Sequence, residues 1–179
     1  MDVDVAVLGG GPGGYTAAIR AAQLGAKVAC IEREPELGGT CLRIGCIPTK
    51  AWVQTAFALK EAEHTFDKLG VKLGGFQLEF GTANEWKAGV VKQMTSGVAS
   101  LFKANGVEWV KGTGTFKDAN TIAVEGGEDV RAVTRISGVD QGDGVPLAED
   151  HPVGVAAVDQ VNSGGYLDDR VLAHDHPDA

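Results

Sequence analysis

The stretch VDVAVLGGGPGGYTAAIRAAQLGAKVACIE, residues 3–32, decides the fold. Residues 3–8 are a short apolar run that stops at glycines, the pattern of a parallel strand buried on both faces. Residues 13–24 are mostly good helix formers, and Gly25 supplies a C-terminal stop. Residues 27–32, K-V-A-C-I-E, read as a second apolar strand ending in an acid. Strand, glycine turn, helix and strand in about 30 residues make one βαβ unit, whose crossover should be right-handed.

Within that unit Gly9, Gly11 and Gly14 match G-x-G-x-x-G, after a strand and at the opening of a helix. Gly9 allows a tight turn, Gly11 lets backbone approach a pyrophosphate, and Gly14 lets helix and strand pack closely. The helix N-terminus offers free amides and a positive dipole end to phosphates. Glu32 ends the second strand, 18 residues beyond Gly14. There it would accept bonds from ribose hydroxyls and disfavour a 2′-phosphate, which points to FAD or NAD rather than NADP.

Outward from this unit the spacing predicts a loop over 33–40 and a long helix over 46–69. Pro48 is tolerated in its first turn, and Gly70 closes it. A second long helix is predicted over 83–104, with Trp86, Val90, Met94, Val98 and Leu101 as one apolar stripe. Short strands follow over 107–110, 114–117, 121–125 and 129–133, read together as a β-meander beside the βαβ unit. The expected class is α/β: a Rossmann-like unit with long helices and a meander, and then an atypical tail.

The run G-G-T-C-L-R-I-G-C-I-P-T-K, residues 38–50, places Cys41 and Cys46 five positions apart at a helix start. A regular helix holds such residues beyond the reach of a disulfide, unless Gly45 and a distorted first turn bend the chain. Cysteines at a helix N-terminus are expected to have depressed pKa values. In a cytosolic chain such a pair suggests redox work; two unrelated thiols are the other reading. The spacing has no second ligand pair for a zinc site, so no metal is expected. Cys30, inside an apolar strand, reads as a small core residue.

Composition bounds the rest. No apolar run approaches the length of a membrane span, and no basic, apolar leader opens the chain. Three cysteines do not make a disulfide-stapled scaffold, so a soluble cytoplasmic protein is expected. The net charge of −8 argues against nucleic acid as a partner. Residues 1–135 carry 15 Lys/Arg and 15 Asp/Glu, whereas residues 136–179 carry one Arg and nine Asp/Glu. Tyr166 is the only aromatic of that segment. Few large apolar groups remain there to offset ordering entropy. A boundary is therefore expected near 131, between a domain over 1–130 and a poorly ordered acidic tail over 131–179.

The glycine turn with its helix, the V-A-C-I-E-R strand end and the run over 38–50 together resemble the pyridine nucleotide–disulfide oxidoreductases. Within that family they look most like the dihydrolipoamide dehydrogenase branch, as do V-K-G-T-G-T-F and A-N-T-I-A-V-E further along. The resemblance covers about residues 1–130. It implies FAD on the βαβ unit, a redox disulfide between Cys41 and Cys46, and NAD as co-substrate. Cys41 would be the interchange thiol and Cys46 the charge-transfer thiol. Lys50 would favour the reduced, anionic flavin. Glu32 would hold the adenosine ribose; Arg33, Gly38, Gly39, Thr40 and Gly114 would line the cofactor. The reaction implied is oxidation of dihydrolipoamide by NAD+. Its partner would be a lipoyl domain of a 2-oxo acid dehydrogenase or glycine cleavage complex. A homodimer is implied for the family and is doubtful for this chain.

The chain also departs from that pattern. Arg43 stands where the family usually has asparagine. From Arg131 the expected A-T-G turn does not appear, nor does a second G-x-G-x-x-G. A change of coding frame near 131 would account for the abrupt shift, and translation of the other frames tests it. His174-Asp175-His176-Pro177 resembles the family's catalytic His-x-His-Pro but lacks the Thr and Glu that follow it, and reads as an incidental tail. Two functional readings follow: a flavin-binding, disulfide-bearing enzyme part, or a non-catalytic nucleotide-binding remnant. Mercuric or glutathione reductase is a further possibility inside the first.

Overall fold

A computed structural model describes residues 1–137 and the two-residue strand at 156–157. Strand β1 (Asp2–Leu8) leads through the glycine turn into helix α1 (Pro12–Gln23) and back to β2 (Val28–Glu32). All five residues of β2 are buried, as a parallel strand covered on both faces requires. Helix α1 starts with Pro12 in its first turn, where a missing amide costs nothing, and ends before Gly25 in a left-handed turn. The βαβ unit is thus the one read from residues 3–32, with β1 and β2 parallel.

The next segment differs from expectation. A five-residue helix, α2 (Gly39–Arg43), starts in the last two residues of the loop predicted over 33–40 and is followed by α3 (Cys46–His64). A 3-10 turn (Phe66–Leu69) then takes over the stretch expected to prolong α3, and Gly70 closes it. Helix α4 (Phe80–Asn105) ends at Gly106, again left-handed. Trp52 of α3 stacks on Phe80 at the start of α4, with ring centroids 4.8 Å apart and Lys87 above the indole.

The apolar stripe assigned to α4 is corrected by the structure. Thr95, Val98 and Phe102 are buried, while Trp86, Met94 and Leu101 are exposed and Val90 is half-buried. Only the C-terminal half of α4 rests on α1 and the sheet. The arc it covers is set by where α1 lies, and residue spacing carries no information about that.

The strands also assemble differently from a four-strand meander. Strand β3 (Glu108–Lys111) lies parallel to β2 at the sheet edge. Strands β4 (Gly114–Asp118) and β5 (Thr121–Val124) form an antiparallel pair, turned by Asn120 donating its amide to Asp118 Oδ1 at 2.7 Å. Strand β6 (Val130–Ser137) leaves β5 antiparallel and runs parallel beside β1. The sheet order is β3-β2-β1-β6-β5-β4, with β7 (Ala156–Ala157) against β6. A boundary is expected near 131, yet residues 131–137 form a strand next to β1 in the middle of the sheet. The strand predicted over 129–133 therefore runs four residues further. Apart from 156–157, the remainder of the expected tail, including His174 and His176, lies outside the described residues.

Two apolar clusters fill the two faces of this sheet. Ala6, Leu8, Ala29 and Ile31 meet Ile122, Val124, Val130 and Ala132 on one side. Val7, Val28 and Cys30 meet Ala18, Leu42, Val98 and Phe102 on the other. Alternation along β1 and β2 sends neighbouring side chains to opposite layers. Cys30 is fully buried, and burial pushes its thiol up to about 12, consistent with a core residue.

Candidate functional site

The site grows from the C-terminal ends of β1 and β2. The Gly9 amide donates to the Ile31 carbonyl at 2.8 Å, which ties the glycine turn to the end of β2. A Cβ on Gly14 would lie 1.8 Å from the Gly9 carbonyl oxygen. No residue with a side chain fits there, which is the close helix–strand approach expected of that position. Gly11 caps α1 without a side-chain partner, and no acid occupies the first turn. The positive end of the α1 dipole is thus left to an anion.

Glu32 is buried at the end of β2. Gly10 donates its amide to Glu32 Oε2 at 2.6 Å, and Glu34 donates its amide to Oε1 at 2.9 Å. The carboxylate therefore holds the glycine turn in place, a role that spacing alone did not reveal. Arg33 is exposed, with Nε 3.7 Å from Glu34 Oε1.

The redox candidate is clamped onto the same turn. Gly38 donates its amide to the Gly10 carbonyl at 2.8 Å. Gly39 has φ +57°, and a Cβ there would come within 2.7 Å of Gly11 Cα. Two glycines in contact let the start of α2 sit directly on the glycine turn. Leu37, nearly fully buried, covers Gly10 from the side. It was missed because an isolated leucine in an acidic loop has no periodic signature.

Helix α2 ends because Ile44 and Gly45 both donate amides to the Thr40 carbonyl, at 3.0 and 2.7 Å. Gly45 then opens α3 with φ −112° and ψ −104°, outside the helical region. The two helices break at this point, and the break is the bend that the cysteine spacing required. Cys41 and Cys46 are both free thiols, one on each side of this break. Cys41 is half-buried against the helix-side core, and Cys46 is exposed.

Burial, and then the neighbouring Cys46, raises the Cys41 thiol above its ordinary range, while Lys50 pulls weakly the other way. This corrects the expected depression at Cys41: it is the third residue of a short helix, packed on apolar groups that disfavour a thiolate. Lys50 is exposed on α3, one turn beyond Cys46. Tyr15 of α1 also belongs to this neighbourhood; burial first, and Cys41 second, raise its phenol.

Thr40 is exposed beside the clamp. Gly114 lies in the other layer, where a Cβ would meet Leu8 at 2.6 Å and Ile31 at 3.1 Å. Packing under the ends of β1 and β2 is by itself a sufficient reason for glycine there. The structure thus gathers Gly9, Gly11, Gly14, Glu32, Gly38, Gly39, Cys41 and Cys46 at one end of the sheet.

A G-x-G-x-x-G turn is thus joined to a broken helix start that carries two cysteines. Residues 3–136 match the family model described as pyridine nucleotide-disulphide oxidoreductase, and the chain belongs to that family. It is 46% identical over 134 residues to a dihydrolipoyl dehydrogenase of Geobacillus stearothermophilus, covering 75% of this chain and 28% of that protein. It is 45% identical over 132 residues to the dihydrolipoyl dehydrogenase of Manduca sexta, covering 74% and 27%. A leghemoglobin reductase of Vigna unguiculata is 45% identical over 122 residues, covering 68% and 23%. The chain thus spans about a quarter of the length of these relatives.

Proposed function

We propose that this chain is the FAD-binding, disulfide-bearing part of a dihydrolipoyl dehydrogenase. The observation that carries this is the helix break at Gly45, fastened to the glycine turn, with Cys41 on one side of it and Cys46 on the other. The uncapped N-terminus of α1 and the buried carboxylate of Glu32 fit a dinucleotide, with pyrophosphate on the helix end and ribose near the acid. FAD, when bound, supplies a two-electron acceptor for the dithiol and a hydride donor toward NAD+.

The chain's own residues carry the thiol exchange. With Cys41 and Cys46 oxidised to a disulfide, a lipoyl thiolate attacks Cys41 Sγ. That sulfur–sulfur bond forms as the bond to Cys46 breaks, and Cys46 leaves as thiolate. The second lipoyl thiolate then closes the lipoyl disulfide and displaces Cys41. Burial keeps Cys41 protonated after release, so it holds a proton from the substrate while Lys50 supplies nearby positive charge. The partner is a lipoyl domain of a 2-oxo acid dehydrogenase or glycine cleavage complex, in the cytoplasm. The homodimer belongs to the full-length enzyme.

The test is the purified chain reconstituted with FAD. A flavin spectrum, a long-wavelength band on mild reduction and a Cys41–Cys46 linkage by peptide mapping are expected. Cys41→Ser and Cys46→Ser should each abolish exchange with dihydrolipoamide while flavin absorbance persists. A colourless protein with two unlinkable thiols, or exchange retained in both variants, overturns the reading.

A further inference from the structure

The helix start that carries Cys41 is held on one side by Leu42, buried in the core, and on the other by Arg43. Arg43 Nη2 lies 2.9 Å from Glu34 Oε2, and both side chains are partly shielded, at 22% and 37% exposure. Glu34 in turn donates its amide to Glu32, whose carboxylate holds Gly10. An unbroken line of contacts therefore runs from the glycine turn through Glu32 and Glu34 to Arg43, two residues past Cys41. Nothing in the spacing of 34 and 43 announces this pair.

We propose that Arg43 and Glu34 form a latch that positions Cys41 for bonding to Cys46. Arg43 is thus a positioning residue for thiol–disulfide exchange. The proposal rests on the disulfide reading given above. Helix α2 has five residues and few internal hydrogen bonds, so an isolated segment of this kind does not hold its shape. In the dithiol state, packing, the backbone hydrogen bonds of the clamp and this ion pair together keep Cys41 near Cys46. In the disulfide state the covalent bond does so by itself. Losing the latch therefore loosens the dithiol more than the disulfide, lowers the effective concentration of one thiol at the other, and shifts the equilibrium toward reduction.

The experiment equilibrates the full chain in buffers of reduced and oxidised glutathione and reads the Cys41–Cys46 linkage by thiol trapping. The balanced step is protein dithiol plus oxidised glutathione giving protein disulfide plus two reduced glutathiones. Arg43→Asn and Glu34→Gln should each lower the equilibrium constant about threefold, the scale of a partly exposed ion pair. The charge-swapped double variant, Glu34→Arg with Arg43→Glu, should recover most of that loss. Arg43→Asn is the cleaner single change, because Glu34 also faces Arg33. A general loss of fold would lower the urea midpoint without any rescue by the swap. Equal constants in the parent and both single variants, or a swap no better than either single change, overturn the latch. A parent that forms no linkage in any buffer overturns the disulfide reading as well.

Discussion

The two ends of the helical layer make the same kind of residue do opposite things. Where α1 and α2 meet the sheet, glycines lie against glycines and a single added Cβ would collide with backbone. Where α3 and α4 reach away from the sheet, Phe76, Leu78 and Trp86 stand exposed along an open groove of about 410 Å3. Glycines there, such as Gly89 and Gly97, have open space around the missing Cβ. Geometry is over-determined at the site end and loosely specified at the far end. Residue type alone does not separate the two, since both ends are rich in glycine and apolar groups.

The strongest way to break this comparison is to add volume at the tight end. Gly14→Val should cost more than about 3 kcal/mol, since overpacking against backbone has no cheap relaxation. Urea denaturation reads it, and a native-like midpoint would mean that the helix and strand can separate. Next comes Phe102→Ala, which removes a ring only 2% exposed and should cost about 3–4 kcal/mol. Trp86→Ala, at the open end, should cost under about 1 kcal/mol in the same assay. Equal losses would show that the outer groove is part of the core.

Two smaller effects sharpen the contrast. Gly89→Ala, in the exposed interior of α4, should stabilise the chain by about 0.5–1 kcal/mol, because alanine loses less backbone entropy than glycine. The sign is opposite to that at Gly14 for a related change. At the site, the raised Cys41 thiol means that alkylation by iodoacetamide should accelerate only above the pH at which a free cysteine reacts. Cys46→Ser removes one cause of the rise but leaves burial, the larger one. The Cys41 midpoint should therefore move down yet stay above the ordinary value. Lys50→Met, which removes the small opposing charge, should move it slightly up.

Much of the site was legible beforehand because its chemistry is local in sequence. Gly9, Gly11 and Gly14 are punctuation between a strand and a helix, and Glu32 follows one helix length later. The cysteine spacing was informative because it fails on a regular helix; it called for a bend at Gly45, and the break between α2 and α3 is there. Glu34, Arg43, Leu37 and Tyr15 were not legible, since each acts through a neighbour distant in sequence. The depressed thiol expected at Cys41 failed for a similar reason, because position in a helix does not report which apolar groups cover it.

Chain order was enough to settle the βαβ unit and the glycine turn and to call for the bend between the two cysteines, because strand length, helix start and turn chemistry are properties of neighbours along the backbone. Three-dimensional packing alone decided that β3 extends the parallel sheet and that β6 lies beside β1. It also decided that α4 buries Phe102 rather than Trp86, and that Glu32, expected to serve a ribose, holds the glycine turn. Those outcomes depend on which surfaces meet across the sheet, and meeting surfaces are chosen by the burial of the whole chain at once.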